Sequence, residues 1–279
     1  MKKIILITTA SLFSGTILFA QNNNALNLKK GQKYLVENKV STKSSTKMQG
    51  QEMEANADVT STYSIEVNDL VDNNYNLTNT VTGVKMNMSQ MGQEMNFDSE
   101  KKEDIDGPIG SALKEYINQP KKVVIDKSGK LIPQQNDDSS EETNMVAKQL
   151  GNFEATGYGA DMAFESLPQD LKAGSTWTLK TDNDGISKST TYLVKEINGN
   201  MATIELNGDM TTDTKMENQG MEITTKTTGK FSGEETVDIS TGVIHSNTST
   251  VDASGIIGVM GQELPTSSKI TSTTTVTML

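Results

Sequence analysis

A seven-residue phrase occurs twice in this chain and limits what the chain can fold into. It reads Leu28-Lys29-Lys30-Gly31-Gln32-Lys33-Tyr34, and again Leu171-Lys172-Ala173-Gly174-Ser175-Thr176-Trp177. Each copy sets Leu and Lys before a Gly, then two polar residues and a large aromatic. Gly accepts turn conformations that other residues resist, and alternate residues of a strand share one face. The phrase therefore predicts a Gly turn feeding a strand whose aromatic drops into a core. Two copies predict a mainly β, antiparallel protein with two related lobes of long twisted hairpins. Hydrophobic residues make up only 34% and aromatics 5%, so the expected core is thin, as in a twisted sheet or an open half-barrel.

Alternation supports strands throughout. Tyr63, Ile65 and Val67 alternate with Ser64, Glu66 and Asn68, and Asp72-Asn73-Asn74 reads as a turn. Tyr75, Leu77, Asn79 and Val81 keep one parity, which slips at Gly83 before Val84, Met86 and Met88. A Gly at a phase slip predicts a β-bulge. Hairpin tips recur with nearly one spelling: Met48-Gln49-Gly50-Gln51-Glu52-Met53, Met91-Gly92-Gln93-Glu94-Met95 and Met260-Gly261-Gln262-Glu263-Leu264, with Asn218 to Met221 a looser relative. A Gly-X corner of type II′ would set Met48 opposite Met53 and Met88 opposite Phe97.

The middle changes character. Asp106 and Pro108 predict a short helix near 108–119 with Ile109, Leu113, Tyr116 and Ile117 on one stripe. Ser139 and Glu142 predict a second near 140–150. The expected organisation is a signal peptide at 1–20, a first β lobe at 21–132, a linker at 133–166 and a second β lobe at 167–279. In the second lobe Tyr192 and Val194 answer Tyr63 and Ile65, and Ile239 to Ile244 echo Ile125 to Ile132.

Lys2 and Lys3 ahead of the largely apolar run Ile4 to Phe19 predict export. That run is broken by Thr8, Thr9, Ser11, Ser14 and Thr16, and no later stretch is apolar enough to span a membrane. The expected location is the periplasm, the outer membrane surface or the medium. There is no Cys, which excludes disulfides, thiolate metal sites and Cys catalysis together. The net charge is −11, every one of the 25 basic residues is Lys, and without Lys2 and Lys3 the charge falls to −13. Such a chain lacks the basic footprint that nucleic acids require.

The phrases Met-Gly-Gln at an early tip, Ile125-Asp126-Lys127-Ser128-Gly129-Lys130, and Leu167-Pro168 through Lys172, Gly174 and Trp177 occur in a fixed order. In this the chain resembles a family of exported bacterial proteins catalogued as a domain of unknown function. The resemblance covers most of Leu26 to Ile244. It implies an antiparallel β architecture similar to the open half-barrels that shuttle lipoproteins and lipids across the periplasm. It implies no activity and transfers no catalytic residue.

Chemical motifs are sparse. His245 stands alone, whereas triads and most zinc sites need partners for it. Asp182-Asn183-Asp184-Gly185 imitates part of a calcium loop, but Lys180 and Thr191 fall where ligands belong, so it reads as a hairpin turn. No catalytic residue, metal site or cofactor is assigned. A carboxylate-pair hydrolase is compatible with the composition, although no pair stands out.

Methionine is the unusual feature: Met86, Met88, Met91 and Met95 lie in one hairpin, and Met210, Met216 and Met221 in its counterpart. Thioethers fill thin cores, line surfaces for varied apolar ligands, or hold Cu(I). The leading expectation is a non-enzymatic exported protein that binds an apolar, lipid-like or peptide ligand in a groove containing Met86, Met88, Met210 and Trp177. The alternatives are a structural or interaction module of the cell envelope with no small ligand, a Met-rich Cu(I) binder, and a carboxylate hydrolase.

Overall fold

The computed structural model describes residues 23–48, 50–132, 158–183, 185–218 and 221–279. The expected signal peptide and the helix expected near 140–150 lie outside the described residues. The elements run in the order β1 (Asn23–Asn24), β2 (Lys33–Met48), β3 (Gln51–Val71), β4 (Asn74–Gln90), β5 (Gln93–Asp98), α1 (Lys102–Ile105), α2 (Pro108–Leu113), β6 (Lys121–Asp126) and α3 (Tyr158–Ala163). They continue with β7 (Leu167–Pro168), β8 (Thr176–Asn183), β9 (Ile186–Asn198), β10 (Met201–Asn218), β11 (Met221–Asp238), β12 (Val243–Val259) and β13 (Gln262–Met278).

Eleven strands form one antiparallel sheet in the order β5-β4-β3-β2-β13-β12-β11-β10-β9-β8, with β6 also paired to β4. The sheet is not closed into a barrel. β1 and β7 make a separate two-stranded ribbon. Strands from both halves of the sequence share the large sheet, because β2 pairs with β13 from Tyr34↔Met278 to Thr46↔Thr266.

The two copies of the opening phrase adopt one geometry. Gly31 and Gly174 both sit at φ 85°. Gly31 N–H donates to the Val67 carbonyl and Gly174 N–H to the Val194 carbonyl, both at 2.8 Å. Val67 and Val194 return the bond to Gln32 and Ser175, each at 2.9 Å. The side chains of Gln32 and Ser175 then accept from the Lys29 and Lys172 amides. The repeat continues downstream: Asp126 and Asp238 each accept from the amide and hydroxyl of the Ser two residues on. These bonds match Val194 to Val67, so Tyr192 answers Ile65, two residues from the Tyr63 that alternation alone selects.

The N-terminal stretch runs between the two Asp-Ser turns. Leu26 N–H donates to the Lys127 carbonyl and Asn27 N–H to the Thr241 carbonyl. A Cβ on Gly129 would lie 3.5 Å from Leu26 Cδ1, and one on Gly242 would collide with Leu26 Cδ2. Leu26 thus packs against both turns at once. Leu26→Ala leaves a cavity shared by the two, and is expected to cost about 3 kcal/mol, read as a lower urea midpoint.

Two expectations from sequence are corrected. The tips are not Gly-X corners: Gln90 pairs with Gln93, Met88 with Met95 and Met48 with Gln51. The corners are Met91-Gly92 and Met260-Gly261, with φ of 53° and 74°, and of 51° and 77°. Two positive φ values make a type I′ turn, whose twist matches the flanking strands. The second correction concerns the helix expected near 108–119, which is α2, ends at Leu113 and has Gly107, not Asp106, at its N-cap. The chain then bends: Tyr116 and Ile117 N–H both donate to the Leu113 carbonyl, and Asn118 turns with φ 59° to reach the Val81 carbonyl. The bulge at Gly83 is present, with Thr62↔Gly83 followed by Tyr63↔Val81.

Strand alternation gives the sheet an inner face with three apolar clusters. One packs beneath α3 and holds Tyr34, Val36, Ile65 and Leu77 with Ala160, Met162 and Ala163. Another packs beneath α2 and holds Met86, Met88 and Phe97 with Leu113, Tyr116 and Ile117. The remaining cluster spreads over β8 to β13 with Val40 of β2, and among the described residues its members outside the sheet are Leu167, Leu171 and Ile239, none of them helical.

Candidate functional site

The inner face carries a polar line in direct register across five strands: Ser61, Asn38, Thr274, Asn247 and Glu235. Asn38 Oδ1 accepts from Thr274 and Ser272 at 3.2 and 3.1 Å. At the β11 end of the line stands a cluster of ionisable groups. Glu235 is 2% exposed, and its Oε2 accepts from Asn247 Nδ2 at 3.0 Å. Glu235 Oε1 is buried without a donor.

The neighbour of Glu235 is Glu165. The Glu165 amide donates to the Gly242 carbonyl at 2.8 Å, and Phe164 bridges Val243, so the segment entering β7 is held over the sheet. The carboxyls of Glu165 and Glu235 face each other, and Tyr192 on β9 hydrogen-bonds Glu165. Two carboxylates at contact pair only through a proton. Burial, then the charge of Glu165, raises Glu235 well above the ordinary range. Burial also raises Glu165, while its contacts with Glu235 and Tyr192 and the charge of Lys188 pull it back. Burial lowers Lys188, and both carboxyls oppose that. Tyr192 is raised well above its usual value, by burial first and then by the same two carboxyls.

Beside this cluster lie the aromatic side chains of β8, β9 and β11. Trp177 stacks on Tyr192 with centroids 4.7 Å apart and planes 6° from parallel. Phe231 lies across Gly208, and Lys188 Nζ sits 4.3 Å above its ring centroid. A long flexible cation therefore covers one aromatic ring of the apolar cluster over β8 to β13.

The four residues expected to share a groove are divided by the fold. Met86 and Met88 are buried beneath α2, whereas Trp177 and Met210 are buried in the helix-free cluster. The strand of Met86 and Met88, β4, and that of Met210, β10, are six steps apart in the sheet, about 29 Å at the usual strand spacing. Met95 packs against the same cluster as Met86 and Met88, but Met91 is 70% exposed at its corner. His245 is exposed, at the bulge of β12 where Thr236↔Ser246 gives way to Val237↔Ile244. Among the described residues no group of three or more His, Asp or Glu is placed to hold a metal, and no helix is long and apolar enough to cross a membrane.

Sequence reasoning missed the Glu165–Glu235 pair. Glu235 was legible in part, because it shares parity with Phe231, Gly233 and Val237 and so puts an acid on the apolar face. Glu165 offered no such signal, since its position depends on a segment outside the large sheet.

Similar solved structures include lipovitellin, in a structure concerned with lipid–protein interactions, at 15% identity and a TM-score of 0.49. That match covers 91% of this chain and 25% of the other, so the chain spans about a quarter of the lipovitellin chain's length. The COG4313 outer membrane channel of Pseudomonas putida F1 matches at 8% identity and a TM-score of 0.27, over 91% of this chain and 98% of that one. A putative AttH protein of Nitrosomonas europaea matches at 8% identity and a TM-score of 0.19, over 95% and 56%. No curated protein matches by sequence. A family model matches residues 72–244, from the first turn after β3 to the start of β12, and by that match the chain belongs to the family of unknown function DUF6263.

Proposed function

We propose that this is an exported, non-enzymatic β protein that binds a lipid-like apolar chain along the inner face of β9 to β13. One observation carries the reading: of the three apolar clusters, the one spread over β8 to β13 includes no helical residue among the described residues. It is the apolar face of an open sheet. Lys188 lies over Phe231, and Trp177 stacks beside Tyr192. A ligand chain would replace the aliphatic stem of Lys188, with little rearrangement of backbone. Beyond Phe231, Val251 and Ile270, the next inward row reads Met210, Gly229, Ala253, Ser268 and Ser44 in register. That row is a smooth floor on which an extended chain can lie.

Nile red binding tests the reading. Wild-type protein is expected to bind the dye with enhanced, blue-shifted emission. Ser268→Trp plants a bulky side chain in the middle of the floor and is expected to weaken binding about tenfold, with the circular dichroism spectrum unchanged. Equal binding by the two proteins, or none by wild type, contradicts the reading.

A second reading, an envelope interaction module with no small ligand, is favoured by the tips. Met91 and Met260 are 70% and 75% exposed. Both hold left-handed conformations that an unbranched apolar residue seldom adopts. Absence of dye binding by folded wild-type protein would move the weight of evidence to this reading.

A further inference from the structure

We propose that the Glu165–Glu235 pair seats a primary ammonium group, so that the ligand of the inner face is a cationic amphiphile. The inference rests on the apolar-ligand reading above and adds the chemistry of the head group.

The argument is one of charge and donors. Two carboxyls and one lysine, Lys188, meet in the cluster, so one carboxylate is left without a counter-charge when both are ionised. Lys188 is engaged elsewhere as well, over the Phe231 ring. Glu235 Oε1 has no donor, although Oε2 has Asn247. A buried carboxylate in that state takes up a proton or a cation. An ammonium supplies both missing items, a positive charge and N–H donors for Oε1 and for Glu165. A hydroxyl head would supply a donor but leave the charge. An anionic head would add to it.

The site can be reached. Glu165, Lys188 and Asn247 are half-buried, while Glu235 is closed off behind them. The tail also has a path. On β11 the inward residues run Glu235, Gly233, Phe231, so β11 itself sets no side chain between the carboxyl and the ring, and Ser249 of β12 and Leu206 of β10 flank the path. An ammonium at Glu235 lays its tail over Gly233 toward Phe231 and Val251, a rise of about 13 Å along the strand. The groups that face the pair are Lys188 and Tyr192 from β9 and Asn247 from β12. The carboxyl pair holds a shared proton, so ammonium binding releases it, and affinity rises with pH as the pair ionises.

Calorimetry on the full chain tests this with dodecylamine, dodecanol and ethylamine, in buffers of differing ionisation enthalpy. Dodecylamine is expected to bind about tenfold more tightly than dodecanol and to release a proton, while ethylamine, lacking the tail, binds far more weakly. Glu235→Gln is expected to abolish the preference for amine and the proton release, so that the two dodecyl compounds bind alike. Glu165→Gln, at the more accessible position, serves the same purpose should Glu235→Gln fail to fold. Equal affinity for the two dodecyl compounds, unaltered by either variant, overturns the ammonium site and leaves the apolar-ligand reading standing. Failure of both dodecyl compounds to bind overturns the apolar-ligand reading itself. Ethylamine binding as tightly as dodecylamine overturns the amphiphile assignment.

Discussion

Gly208→Ala is expected to lower stability by about 3 kcal/mol, one of the largest effects of a single methyl group in this sheet. Gly208 lies on β10 opposite Thr190 and Phe231. A Cβ there would collide with the Ser189 carbonyl and come within 2.6 Å of the Phe231 ring. The backbone of β9 and a flat aromatic would both have to move, and the ring is itself held under Lys188. Gly83 is the natural control. A Cβ at Gly83 meets only Thr62, at an ordinary 3.6 Å. Gly83→Ala is therefore expected to change stability by less than about 1 kcal/mol. Equilibrium urea unfolding of the two variants decides the matter. Equal effects would show that Phe231 does not occupy the space above Gly208.

Asp161 is the second case. It lies in α3, and burial pushes its carboxyl from 3.8 up to about 8. Between those values the folded state holds a proton that the unfolded chain releases. Stability from this group is thus fully present below the unfolded value and is lost as pH rises through about 8. Asp161→Asn removes that loss. The variant is expected to be more stable than wild type by about 2 kcal/mol in mildly alkaline buffer, a figure reduced because water reaches this half-buried side chain. It is expected to match wild type in acid, where the native carboxyl is already protonated. Thermal melts across the pH range give the result. A wild-type profile that is flat, or parallel to that of the variant, would show that Asp161 is solvated. The Glu165–Glu235 pair acts in the same direction, since its carboxyls are also raised.

The architecture was legible because its signals are local. Gly31 and Gly174 must turn wherever the surrounding chain lies, and their hydrogen bonds prove identical. The parity slip at Gly83 likewise records a bulge that needs only two strands. Register at the tips was less legible, since Met-Gly and Gly-Gln corners spell alike and differ by one residue in pairing. The choice falls on Met91-Gly92 because the I′ twist agrees with long, twisted strands. Which strands neighbour which is a global property. No local pattern states that β2 joins β13, and that pairing is what sets Met86 six strands from Met210. The ionisable cluster was hidden for the same reason. Glu165 comes to Lys188 and Glu235 only because the segment before β7 is held against Gly242 and Val243 at the start of β12.

The central claim is that the inner face of β9 to β13 is a binding surface for an apolar chain with a charged head. Photo-crosslinking with a diazirine-tagged dodecylamine, followed by peptide mapping, tests it most directly. Label concentrated on peptides carrying Lys188, Phe231 and Val251, and competed away by untagged dodecylamine, is the predicted result. Label confined to the exposed corners at Met91 and Met260, or spread without competition over the outer face, would contradict it.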